Sequence, residues 1–318
     1  MTIDLSTLTF TNQADIVPES GEDDILNTGV ANTFAGNDKI TGTGATGISN
    51  SSTLNTDDGN DIITGYSTGY GHGIINLGVI NTGNGNDIIT ATASTTQYSF
   101  ALSNSSIIDT GEGNDIITGI GITGTGNIGI FNGTYGYGQN YPQINTGEGN
   151  DIIVSVGNLR NYGSINTGNG NDYIFSSGGL TNFNSSTSSS TINTGNGNDI
   201  IISSGKIFNN AEINTGNGND SIIADGGVGE DFGGYGSVFL GEGEDYLMGF
   251  GSGNFNGGND EDTLKLTSGS YTIGRSGATV SFTKDSIIMN TSEFEKLIVG
   301  STIYDFSSLT AGQIITVA

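Results

Sequence analysis

The sequence predicts an all-β protein, a parallel β-solenoid of about ten coils with an internal asparagine ladder and a β-rich C-terminal cap. One phrase, INTGNGNDII or a near copy, ends at Ile89, Ile117, Ile153, Ile174, Ile201 and Ile222. Worn copies stand at 34–40 (FAGNDKI), 54–63 (LNTDDGNDII), 240–247 (LGEGEDYL) and 256–264 (NGGNDEDTL). A second pattern, alternating and carrying Asn at a fixed place, precedes each copy. The third observation is negative: there is no helical period, and 55 glycines in 318 residues leave little for a conventional mixed core. A repeat of this kind cannot bury its apolar side alone, so coils must stack.

Residues 1–24 read as an N-terminal cap coil, in which Ile3, Leu5, Leu8 and Phe10 cover the open end and Pro18 sits at an edge. The stretch has neither a basic start nor a long apolar run, which disfavours a secretory signal peptide and a transmembrane helix.

The repeats occupy 25–262. Counting back 13, 11, 9 and 7 places from Asp87 gives Ile74, Asn76, Gly78 and Ile80. The same offsets give Leu102, Asn104, Ser106 and Ile108 before Asp115, and Ile207, Asn209, Ala211 and Ile213 before Asp220. An aliphatic, Asn, small, aliphatic alternation predicts one Asn-bearing strand, and the Ile-Ile pair after the glycines predicts a second. A buried Asn is costly alone, but stacked on its own copies it bonds amide to amide along the column. The interval from ladder Asn to motif Asp is always 11 residues, whereas the interval onward to the next Asn runs from 10 to 17 where nothing interrupts it, so insertions bulge there. Two further insertions, 133–143 and 185–190, are expected to break the Asn strand itself.

Residues 263–318 change character, with short alternating strands (TLKL, SYTIG, ATVSF, SIIM, KLIVG) and four of the seven basic residues. They read as a C-terminal β cap. A formal net charge of −26 argues against binding nucleic acid or inserting into a membrane, and with no Cys there is no disulfide.

The motif carries the chemistry. Glycines at alternate positions permit positive φ, so carbonyl oxygens can converge at the turn, and one carboxylate follows. Carbonyl and carboxylate oxygens are hard ligands that suit calcium better than zinc. A file of unneutralised carboxylates ~5 Å apart would repel by ~3 kcal/mol per neighbouring pair at an effective dielectric near ~20. The bland alternative is that Asp and Asn merely close tight turns on their own backbone.

The run Thr82-Gly83-Asn84-Gly85-Asn86-Asp87-Ile88-Ile89 resembles the nonapeptide GGxGxDxUx of RTX (repeats-in-toxin, hemolysin-type) calcium-binding proteins. It departs at the first glycine, where this chain has Thr82, Thr110, Thr146, Thr167, Thr194 and Thr215, and in standing once per longer repeat instead of in tandem. The resemblance implies several Ca2+ ions held between coils by aspartates Asp38, Asp61, Asp87, Asp115, Asp151, Asp172, Asp199, Asp220, Asp245 and Asp262. The loop carbonyls would come from Gly83, Gly85, Gly111, Gly113, Gly147, Gly149, Gly168, Gly170, Gly195, Gly197, Gly216, Gly218, Gly241 and Gly243. The long interval from Asp115 to Asp151 is expected to interrupt the ion row. The resemblance also implies an extracellular protein exported by a type I secretion system through its C-terminal region.

Three classes of function follow: a secreted calcium-binding solenoid with a structural or cell-surface role and end-to-end self-association, a calcium-dependent ice-binding solenoid, and a polysaccharide-acting β-helix enzyme. The first is preferred. The outward position of the turn alternates Asn with Glu112, Glu148 and Glu242, which spoils a regular ice-facing array. Arg160 and His72 are the sole Arg and His of the repeats, which leaves an enzyme no cluster of basic partners. His72 reads as a solvated loop residue, Tyr135, Tyr137 and Tyr141 as a loop cover or partner contact, and Asp231 as either a further motif copy or a plain acidic loop.

Overall fold

The computed structural model describes residues 2–18, 23–94, 99–121, 127–134, 141–184, 189–226 and 230–318. It is a parallel β-solenoid, built from sheets of 10, 14 and 13 strands. Each regular coil contributes one strand to each sheet, as in Ile74–Asn76, Val79–Asn81 and Ile88–Thr92. The coils stack in register: Asn76 lies beside Asn104, Ile80 beside Ile108 and Ile89 beside Ile117.

Three strands per coil correct the two expected from the sequence. The alternating row Ile74, Asn76, Gly78, Ile80 is two strands with a corner at Leu77 and Gly78. Ile74, Asn76 and Ile80 are all fully buried, so inward alternation survives the bend and hides it from a periodicity argument. A small residue is required at the corner, because a Cβ on Gly78 would meet the Ser52 carbonyl oxygen of the coil below at 1.9 Å. The insertion beginning at 133 therefore falls between Ile128–Asn132 and Gln143–Asn145, at this corner and not within a strand.

The core is one column per sheet. Ile48, Ile74, Leu102, Ile130, Leu159 and Leu180 line the first sheet, Leu54, Ile80, Ile108, Ile144, Ile165 and Ile192 the second, and Ile63, Ile89, Ile117, Ile153, Ile174 and Ile201 the third. Beside the first column runs the asparagine ladder. Asn27, Asn50, Asn76, Asn104, Asn132, Asn161 and Asn182 each donate Nδ2 to Oδ1 of the next, at 2.7–3.0 Å. The other amide hydrogen bonds a backbone carbonyl of the next coil, as Asn76 does to Ile107 at 2.8 Å. From Asn50 to Asn182 each buried amide both accepts from its predecessor and donates to its successor, and only Oδ1 of Asn27, at the start of the column, lacks a partner.

The ends close in two ways. Thr2–Asp4 and Ile16–Val17 add parallel strands to the first and third sheets, with Leu5 fully buried over the core and Ile3 and Phe10 packed on it. At the other end Thr263–Lys265 still pairs parallel with Tyr246–Met248, and Lys296–Val299 pairs parallel with it in turn. Between them Gly269–Ser276, Thr279–Lys284 and Ile287–Ser292 form an antiparallel meander, whose Tyr271, Phe282 and Met289 seal the apolar column.

Replacing Asn132 by Ala removes the side-chain acceptor of Asn104 Nδ2 and leaves Asn161 Oδ1 only the Gly163 N–H at 3.2 Å, and should cost about 2–4 kcal/mol in urea unfolding. Gly149→Ala should cost about 3 kcal/mol or more, because the residue has φ +130° and the Gly113 carbonyl oxygen stands 1.7 Å from the added Cβ. Gly277→Ala, at φ +62° with nothing within 4 Å, should cost only about 1 kcal/mol.

Candidate metal centre along the turn edge

Each turn is placed by the strand before it and the strand after it, which belong to the second and third sheets. The first glycine of the turn, from Gly83 to Gly241, has φ between +88° and +114°, and the second, from Gly85 to Gly243, between +126° and +142°. In these coils a side chain would collide, because each carbonyl lies where the next coil's Cβ would be: Gly83 O is 2.0 Å from such an atom on Gly111, and Gly85 O 1.6 Å from one on Gly113, whereas the two earlier copies carry Phe34 and Asp57 at the first place, at φ +63° and +61°. These oxygens are thus aimed along the stack at the next coil, where the sequence reading had them converging at their own turn. Gly83 O accepts the Glu112 N–H at 3.1 Å.

All ten predicted aspartates fall on a single buried file, Asp38 and Asp262 included. The backbone N–H of each donates to Oδ1 of the next, from Asp38 to Asp61 through Asp245 to Asp262, at 2.7–2.9 Å. Asp115 donates to Asp151 Oδ1 at 2.8 Å, so the long interval between them does not break the row. Its extra residues fall between strands, after Ile120 and after Asn132. The file runs past the motif at both ends, where Asp15 N–H donates to Asp38 Oδ1 at 2.7 Å and Asp262 N–H to Glu295 Oε2 at 2.8 Å.

The second oxygen is different. Oδ2 of Asp61, Asp87, Asp115, Asp151, Asp172, Asp199, Asp220, Asp245 and Asp262 is buried and accepts no hydrogen bond. Burial, reinforced by neighbouring carboxylates, pushes the Asp61, Asp151, Asp220, Asp245 and Asp262 carboxyls up to about 7. Burial likewise brings Asp115 and Asp172 to about 6 and raises Asp38, Asp87 and Asp199.

A column the sequence reading missed stands against this file. Thr33, Thr56, Thr82, Thr110, Thr146, Thr167, Thr194 and Thr215, each five residues before its aspartate, are buried. Their hydroxyls lie beside the carboxylates and lower their pKa, partly opposing burial, without a hydrogen bond to Oδ2 at any coil after that of Thr33. Thr33 Oγ1 donates directly to Asp38 Oδ2. The constant spacing was visible, but the threonine registered only as a departure from the glycine pattern.

Carboxylate, hydroxyl and carbonyl oxygens, with one carboxylate oxygen per coil left without a donor, make a donor set that fits a hard cation such as calcium. Among the described residues no three acidic, His or Cys side chains are grouped so as to hold a metal ion, so a bound cation would have to draw on neutral oxygens.

Other singled-out residues lie elsewhere. His72 is half-buried, its ring set against Phe100 with the Phe100 N–H donating to Nδ1 at 3.0 Å, so it is not a freely solvated loop residue. Asp231 is buried beneath the cap, where Oδ2 accepts the Phe250 N–H at 2.9 Å and the Thr267 hydroxyl at 2.5 Å, so it is off the file and satisfied. Asn84, Glu112, Glu148, Asn169, Asn196 and Asn217 form an exposed row on the outside of the turns. Tyr141 is exposed, and Tyr135 and Tyr137 lie outside the described residues.

No protein-family model matches this chain, and no curated protein matches it. Among solved structures, the extracellular lipase LipA from Serratia marcescens is similar at 13% identity and a TM-score of 0.15, over 94% of this chain and 41% of the lipase. The chain thus spans less than half of that lipase, and a likeness at this level carries no argument about fold or activity.

The raised carboxyls set a pH dependence. In the unfolded chain these groups titrate near 3.8 and in the folded chain toward 7, so between those values the folded state holds more protons. Stability then falls as pH rises. The metal-free protein should hold more β-structure at pH 5 than at pH 7.5, as measured by circular dichroism in chelator. More β-structure at pH 7.5 would show that the file is not protonated at low pH.

Proposed function

We infer that this chain is a calcium-binding β-solenoid acting outside the cell in a structural or cell-surface role, with folding coupled to the ion. The supporting observation is the file of buried carboxylate oxygens without donors, one at each coil from Asp61 to Asp262. At neutral pH such a file holds together only if protons or cations neutralise it. Aspartates Asp38 to Asp262 and the turn carbonyls would hold the ions, and bound calcium would supply the positive charge between coils. The chain's own part is to bring oxygen donors from successive coils to one edge, which happens only once coils have stacked. Binding energy and folding energy are then the same quantity.

An acidic chain that stays open where calcium is scarce and closes where it is plentiful suits export before folding. Passage through a type I secretion system and a calcium-rich exterior are the setting we assign to it. The role is one of binding and scaffolding, not catalysis.

Circular dichroism of the full chain in EDTA at pH 7.5, followed by calcium titration, tests the reading. Little β-structure is expected in chelator, with recovery at calcium on the order of millimolar or below. Identical spectra with and without the ion, together with no heat of binding, would overturn it.

A further inference from the structure

On the strength of the calcium reading, we propose that the threonine column is itself a set of metal ligands. At each step between coils, the hydroxyl of Thr56, Thr82, Thr110, Thr146, Thr167 or Thr194 joins the aspartate Oδ2 of its own coil and the threonine carbonyl of the next on one cation. The chain has thereby replaced a glycine of the nonapeptide pattern with a side chain that enlarges the site.

The distances carry the argument. The hydroxyl oxygen of Thr56 lies 3.3 Å from the Thr82 carbonyl oxygen, Thr82 3.3 Å from Thr110, Thr110 3.4 Å from Thr146, Thr146 3.3 Å from Thr167, and Thr167 3.3 Å from Thr194. An ordinary hydroxyl-to-carbonyl hydrogen bond is ~2.7–2.8 Å, so these pairs are held apart by about half an ångström. Two oxygens bound at right angles to one calcium, each ~2.4 Å away, stand ~3.4 Å from each other. The separation along the column is that of neighbouring ligands.

The end of the column behaves differently. Thr215 has Leu240 and no threonine above it, and its hydroxyl closes to 2.8 Å on the Leu240 carbonyl, an ordinary hydrogen bond. The step below it, Thr194 to Thr215, is 3.1 Å, so the wide spacing holds over the five steps from Thr56 to Thr194 and narrows toward the end of the column. The third oxygen is within reach, because at Thr33 the hydroxyl meets Asp38 Oδ2 across the same five-residue offset, while Oδ2 of every later motif aspartate is buried without a donor. A buried, partnerless carboxylate oxygen, a hydroxyl beside it and a carbonyl at ligand spacing make a three-oxygen site bearing one negative charge.

The column predicts a graded row of sites. Asp245 and Asp262 have Leu240 and Gly257 where the other coils have threonine, so their sites lack the hydroxyl and should be the weakest.

The test replaces Thr146, Thr167 and Thr194 together by Val in the full chain, removing the hydroxyls while keeping branched side chains of similar shape. Calcium isotherms are measured by titration calorimetry, with circular dichroism reporting the fold. Affinity at three of the sites should fall by about tenfold or more, and the matching Thr→Ser variant should keep it. Leu240→Thr should strengthen one of the weak sites. If the triple variant does not fold in calcium, the single Thr167→Val is used, with one site expected to weaken. Val variants that bind as tightly as the parent would overturn the ligand role while leaving the calcium reading intact. A parent that binds no calcium would overturn both.

Discussion

Parallel stacking in exact register means that a buried polar residue meets its own copy above and below, and this constraint sorts the two buried polar columns. An amide is both donor and acceptor, so Asn76 can bond Asn104 and be bonded by Asn50 indefinitely. A carboxylate only accepts. Asp87 cannot bond Asp115 side chain to side chain, so the backbone supplies the donor: each motif N–H is spent on the next Oδ1. One N–H per coil satisfies one oxygen per coil. The second oxygen is left over by stoichiometry, and the remainder recurs at every step of the stack.

The same rule explains where the chain is free to vary. From ladder Asn to motif Asp the spacing is 11 residues in the coils of Asp38, Asp61, Asp87, Asp115, Asp172 and Asp220, and it lengthens only where an insertion follows Asn132 or Asn182. The insertions fall between strands, after Ile120 and after Asn132, and the columns on either side of them stay in register. The outer face of the turn shows the pattern run the other way. Asn86 N–H donates to Asn60 Oδ1 of the preceding coil at 2.7 Å, whereas Asp87 N–H donates to Asp115 Oδ1 of the following one. Adjacent residues thus bind the turn to both of its neighbours.

Much of this was legible in the sequence because repetition turns a weak local signal into a register. The Asn ladder, the aspartate file and the need for positive φ at alternate glycines all follow from offsets that can be counted. What could not be counted was lost. The corner at Gly78 is invisible to a period-2 reading, since inward alternation passes through it. Asp15 and Glu295, which extend the file at either end, sit in segments without the motif and are brought there by the caps. The parallel pairing that continues to Lys296–Val299 is likewise set by the final coils and not by any local pattern. The threonine column failed for a different reason: it was compared with an expected glycine instead of being asked which way its side chain points.

That last point bears on why the file is aspartate at all. If the corner needed only a structural ladder, asparagine would serve better, since the chain already stacks it one column away with every amide satisfied. An amide at the motif position would still accept the neighbour's N–H through its oxygen and would carry no charge to bury. Aspartate at each of these coils instead costs desolvation and mutual repulsion, visible in carboxyls driven to about 7 at Asp61, Asp151 and Asp220. Nothing in the backbone bonding requires that cost, because Oδ1 alone does the bonding. The feature that distinguishes the two residues is the second oxygen and its negative charge, and in this fold that oxygen is buried without a hydrogen-bond donor. A cation between the coils, as proposed, would neutralise that second oxygen at every step and offset the cost that asparagine would have avoided.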